Sequence, residues 1–82
     1  MPVLDDSRLD RHREFDWIIG VNLKHLRHQA GIEQFRLAEL ADMDPTQLSR
    51  VESGERSLKF KEALAICKVL SIEPKRLTRP LQ

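Results

Sequence analysis

The side chains with the clearest chemical use stand together near the middle of the chain, at Thr46, Gln47, Ser49 and Arg50. A guanidinium offers two parallel donors that fit guanine O6 and N7, a carboxamide does the same for adenine, and threonine can meet a thymine methyl or a phosphate. Taken singly, each of these residues is better read as an ordinary solvated surface residue. On a helix, however, Pro45, Thr46, Ser49 and Arg50 share one face while Leu48 and Val51 lie on the other. Such a set can bind; it has no group placed for turnover.

Other candidate chemistry is thinner. His25 and His28 lie about one helical turn apart with His12 upstream, but no cysteine or carboxylate stands at ligand spacing, so they read as surface histidines near a helix C-terminus rather than a metal site. Cys67 falls between Leu64 and Leu70 on an apolar stripe, where a thiol behaves as a small core hydrophobe. A glycine-rich phosphate loop, a nucleophile elbow and a paired-carboxylate motif are all lacking. The sequence therefore predicts no enzyme, no metal and no cofactor.

Helices must position the polar set, because strand alternation is missing and there is no tyrosine among few aromatics. Phe15, Ile19, Leu23, Leu26 and Ala30 recur at spacings of three or four, which predicts a first helix from Glu14, with a possible extension from Ser7, ended by Gly31. A short second helix is expected from Gln34 to Ala41, with Leu37, Ala38 and Ala41 inward. Asp44 as N-cap and Pro45 at the first helical position start a third, which runs to Gly54. Phe60, Ala63, Leu64, Cys67 and Leu70 mark a fourth from about Lys59, and Pro74 opens a fifth that carries Leu77.

Two short helices joined by a tight turn, the second opening with polar residues, make a helix-turn-helix over residues 34 to 53. The stretch LRHQAGIEQFRLAELADMDPTQLSRVESG, followed by ALAICKVLSI, resembles the Cro and phage-repressor type (Xre-like) helix-turn-helix family over roughly residues 14 to 78. The resemblance rests on the combined spacing of Arg27, Gln34, Leu37-Ala38, Met43, Leu48, Val51 and Glu52-Ser53-Gly54. It implies an all-α, compact bundle of about five helices with a central helix-turn-helix, the lambda-repressor-like DNA-binding fold. It further implies that Pro45, Thr46, Gln47, Ser49 and Arg50 read base edges, that Gln34 meets the DNA backbone, and that Arg27 and Glu52 form a structural salt bridge.

Arg56, Ser57, Lys59 and Lys61, around the loop before the fourth helix, are candidates for phosphate contact, although a solvated loop reads equally well for each alone. The chain departs from the family pattern at Glu33, where a Ser or Thr cap is usual, at Asp42, where glycine is usual, and at Leu58, where proline is common. Pro45 offers no side-chain hydrogen bond, which shifts direct reading onto Thr46, Gln47 and Arg50.

Eighty-two residues hold one domain, which leaves no room for a separate ligand-binding domain, and no small-molecule ligand is expected. Apolar residues make up 40% and charged ones 33%, enough to fold and too evenly spread for a membrane span. Formal net charge is only +1, but residues 1 to 23 carry three basic against five acidic side chains, and residues 24 to 82 carry 11 against 8. The expected organisation is a flexible or partly helical acidic arm at 1–13, the DNA-binding domain at 14–78 and a tail at 79–82. With one cysteine and an acidic N-terminus, a cytoplasmic setting is expected.

The resemblance, together with the few base contacts that one such module makes, implies a homodimeric regulator on double-stranded DNA, acting as a repressor at a palindromic operator. Leu58, Ile72, Leu77 and Leu81 are the expected dimer contacts. The alternative is an antitoxin-type module whose acidic N-terminal arm or C-terminal tail binds a partner protein while the helix-turn-helix represses its own operon.

Overall fold

The computed structural model describes the backbone of residues 6–80 and the side chains of residues 13–80. Four α-helices follow one another: α1 (Asp6–Gln29), α2 (Gln34–Leu40), α3 (Pro45–Glu52) and α4 (Phe60–Leu70). A single-turn 3-10 helix, Pro74–Leu77, closes the described chain. The first helix therefore includes the extension read from Ser7, beginning one residue before it, rather than starting at Glu14. The fifth element is too short for an α-helix.

All four helices end in the same way, with a left-handed residue followed by an amide that reaches back five positions. Ile32 donates to the Arg27 carbonyl, Met43 to Ala38, Glu55 to Arg50 and Ile72 to Cys67, at 2.8–3.2 Å. The left-handed residue is glycine at Gly31 and Gly54 but Asp42 and Ser71 at the other two ends. Side-chain-bearing residues are strained there, so the tight turn between α2 and α3 closes at some cost. At the other end of α3 the sequence signal is direct: Pro45 supplies the fixed φ and the Asp44 carboxylate accepts from the Thr46 amide at 2.8 Å.

The core gathers Leu23 and Leu26 of α1, Leu37 and Ala38 of α2, Ala41, Leu48 and Val51 of α3, Ile66 and Cys67 of α4, and Leu77. Burial pushes the Cys67 thiol pKa up, which keeps it protonated and unreactive. Two expected core residues of α4 are not in the core: Phe60 is 78% exposed and Leu64 47%. At 100° per residue they sit to one flank of the arc centred on Ile66, Cys67 and Ala63, so the fold covers only part of the stripe. Phe15, likewise expected on the α1 stripe, is half-exposed because burial begins one turn later at Ile19, and Ala30 is exposed.

Packing of α1 on α3 depends on a glycine. A Cβ on Gly20 would lie 2.4 Å from the Val51 carbonyl oxygen and 2.8 Å from that of Glu52, so any other residue would push the two helices apart. One turn away, half-exposed Trp17 crosses Gly54 so closely that a Cβ there would sit 3.2 Å from the Trp17 Cα.

Candidate nucleic-acid interface

The outward face of α3 presents Pro45, Thr46, Ser49 and Arg50 to solvent, with Gln47 half-buried beside them, and Leu48 and Val51 are completely buried underneath. Arg50 takes part in no ion pair among the described residues. Asp42 and Asp44 are exposed at the start of this face, and Glu33 is exposed before α2. Asp44 has its capping amide; the other two carboxylates add negative potential where a phosphate would approach.

Beneath the face, one carboxylate organises three helices. Arg27 Nε donates to Glu52 Oε2 at 2.8 Å and its Nη2 to Glu52 Oε1 at 3.1 Å, while Nη1 reaches the Ile32 carbonyl at 2.9 Å. Gln34 Nε2 donates to the same Glu52 Oε1 at 3.1 Å. Both charged side chains are buried, so the three residues lock α1, the start of α2 and the end of α3 into one unit. Gln34, half-buried, is thus oriented by Glu52 before any ligand arrives.

The loop residues divide unevenly. Arg56 makes a forked pair with Glu62, Nη1 to Oε1 at 2.9 Å and Nη2 to Oε2 at 2.8 Å, so its guanidinium already serves α4. That guanidinium holds the Glu62 carboxyl below its ordinary pKa, with the Lys59 amide adding to the effect and burial opposing it; Glu62 in turn raises the pKa of Arg56. The Ser57 hydroxyl donates to the Asp16 carboxylate at 2.7–2.8 Å. Lys59 and Lys61 remain exposed.

Of the expected dimer contacts, one lies inside this fold. Leu77 is 2% exposed and belongs to the protomer's own core, against which Leu58 and Ile72 pack half-buried. A side chain buried in this way has no surface to offer a second copy. Leu81 lies outside the described residues, as do Met1 to Asp5 and the side chains of the acidic arm through His12.

Several residues that matter here carried weaker signals in the sequence. Glu62 stands three positions after the residue that precedes α4, the spacing of a capping carboxylate. Gly20 interrupts an otherwise continuous helix, which costs stability unless a close approach needs it. The six-residue separation of Arg56 and Glu62 matches no helical rule, and nothing in the sequence marked Asp16 as the partner of Ser57.

Among the described residues no group of three or more His, Cys, Asp or Glu side chains could hold a metal ion, and no helix is long and apolar enough to cross a membrane.

Comparison with known proteins agrees with this geometry. The chain is similar to the restriction-modification controller protein C.AhdI from Aeromonas hydrophila, with 32% identity and a TM-score of 0.73 over 76% of this chain and 94% of that one. It shares its fold with the clp gene regulator ClgR from Corynebacterium glutamicum, with 22% identity and a TM-score of 0.74 over 77% of this chain and 67% of that one. No curated protein matches significantly. Residues 18–80 match the family model described as "Helix-turn-helix domain". With its two-helix motif at residues 34–52 and most of its length matched, the chain belongs to that helix-turn-helix family, in its Xre-like form.

Proposed function

We propose that the protein is a sequence-specific regulator of transcription that binds double-stranded DNA, represses at a palindromic operator and works as a homodimer reading through α3. The observation that carries this reading is the division of α3 into a completely buried apolar side, Leu48 and Val51, and an exposed polar side, Pro45, Thr46, Ser49 and Arg50. A short, rigid, capped helix that holds polar side chains away from the body suits the major groove. The similar proteins, one described as a restriction-modification controller and one as a gene regulator, support regulation as the purpose of binding.

In this reading Arg50 and Gln47 take guanine and adenine edges, Thr46 a thymine methyl or a phosphate, Ser49 a neighbouring edge, and Pro45 fits by shape. Gln34 keeps a second amide hydrogen beyond the one given to Glu52, and this meets the DNA backbone with Lys59 and Lys61. The work is binding, with no turnover.

Homodimerisation uses the uncovered flank of α4 around Phe60 and Leu64 in place of the buried Leu77. An apolar arc wider than one protomer can cover is suited to a second copy, and two reading helices would then sit about 34 Å apart, one duplex turn. Leu64→Asp should give a folded monomer in sedimentation; a dimer of unchanged strength would send the contact elsewhere.

Selection from random duplex DNA tests the whole reading. It should return a two-fold symmetric sequence, and Arg50→Ala should lose about 1–3 kcal/mol of discrimination at one base pair in each half-site with folding intact. A pool without an enriched motif would overturn sequence-specific reading.

A further inference from the structure

We propose that a cavity between the C-terminal half of α1 and the 3-10 helix binds a small organic anion, with a phosphate or carboxylate head on a partly apolar body. The cavity holds about 450 Å³ and is lined by Asn22, His25 and Leu26 on one side and Arg76, Arg79 and Pro80 on the other, with no carboxylate in its wall among the described residues. A domain-sized ligand module is not needed for a site of this kind.

Three observations favour an anion. Neither Arg76 nor Arg79 takes part in an ion pair among the described residues, whereas the neighbouring Lys75 is paired with Glu73. A guanidinium fork matches the two oxygens of a carboxylate or phosphate, and two forks beside an imidazole concentrate that preference. The wall that carries the arginines is also fixed in advance: Asn22 Nδ2 donates to the Leu77 carbonyl at 2.9 Å and to the Arg79 carbonyl at 2.8 Å, which pins residues 77–79 to α1. The ordering cost that binding would otherwise carry is thereby reduced. Leu26 and Pro80 supply an apolar surface for the rest of the ligand.

The cavity faces away from the proposed DNA-reading surface. Gly20 and Arg27 mark the side of α1 that meets α3. At 100° per residue, Asn22 and His25 lie roughly 140–200° around the helix from Gly20. An anion here leaves α3 free, so the site stands independently of whether α3 reads DNA.

The test is a titration of amide chemical shifts in the full chain, using inorganic phosphate, glycerol phosphate and succinate as separate probes. Saturable shifts confined to residues around Asn22, His25 and Arg76 are expected, and the strongest probe distinguishes a phosphate head from a carboxylate one. Arg76→Gln with Arg79→Gln should weaken that probe on the order of tenfold or more, with melting temperature and duplex affinity unchanged. Should the double variant unfold, Arg79→Gln alone, at an exposed position, carries the same expectation. Non-saturating or scattered shifts, or equal affinity in the variants, would overturn the proposal. So would a uniform loss of duplex affinity, which would assign the two arginines to DNA phosphates.

Discussion

Two forked Arg–Glu pairs in this small protein join the same two chemical groups at nearly the same distances and do different things. Arg27 and Glu52 retain only 8% and 4% of their side-chain exposure, stand 25 residues apart, and join α1 to α3 with Gln34 of α2 as a third member. Arg56 and Glu62 retain 20% and 17%, stand six residues apart, and fasten the loop after α3 to the first turn of α4. The inner pair fixes how helices are disposed. The outer pair engages one of the basic side chains near the surface, Arg56.

The largest expected effect comes from breaking the inner pair. Glu52→Ala leaves a buried guanidinium without its partner and should cost about 3–5 kcal/mol in urea unfolding. A loss no greater than that for the outer pair would erase the contrast. Gly20→Ala attacks the same joint from the backbone side, and the collision with Val51 and Glu52 should cost about 3 kcal/mol. If it is tolerated, α1 and α3 are not held as closely as the inner pair requires.

Arg56→Ala should cost only about 1 kcal/mol, because water screens the outer pair. Its pH dependence has a definite sign. The folded pKa of Glu62 lies below its ordinary value, so the contribution is complete above the ordinary carboxylate range and is lost as pH falls through the lowered folded value. Glu62→Gln should flatten that acid limb in urea unfolding measured across pH. An unchanged acid limb would mean that Glu62 titrates alike in both states. The smallest effect is on salt dependence of duplex binding: Lys59→Ala should reduce the slope by about one, and Arg56→Ala should leave it as it is. Equal reductions would return Arg56 to the DNA.

The helices were legible where local chemistry specifies them. Asp44-Pro45 announces α3, and Gly31 and Gly54 announce two helix ends. Asp42 and Ser71 close identical ends without glycine, and so carried less warning. Periodicity gave the stripe on α4 but not its limits, because the number of neighbours within one protomer decides how much of a stripe is covered. Phe60 and Leu64 fall outside that limit. In the candidate interface, Arg27, Gln34 and Glu52 were readable as parts of a family pattern, and their common hydrogen-bond hub was not. Arg56 and Ser57 looked available because their partners, Glu62 and Asp16, lie at separations that no helical or turn rule anticipates.

The crossing of Trp17 over Gly54 has an optical consequence. The chain contains one tryptophan and no tyrosine, so its near-ultraviolet emission arises essentially from a single indole. Trp17 is half-exposed, and the backbone and Cβ from which that indole springs stand against Gly54 in the turn that ends α3. Its colour and quenching will report, without any label, whether the middle of the first helix stays seated against the end of the third.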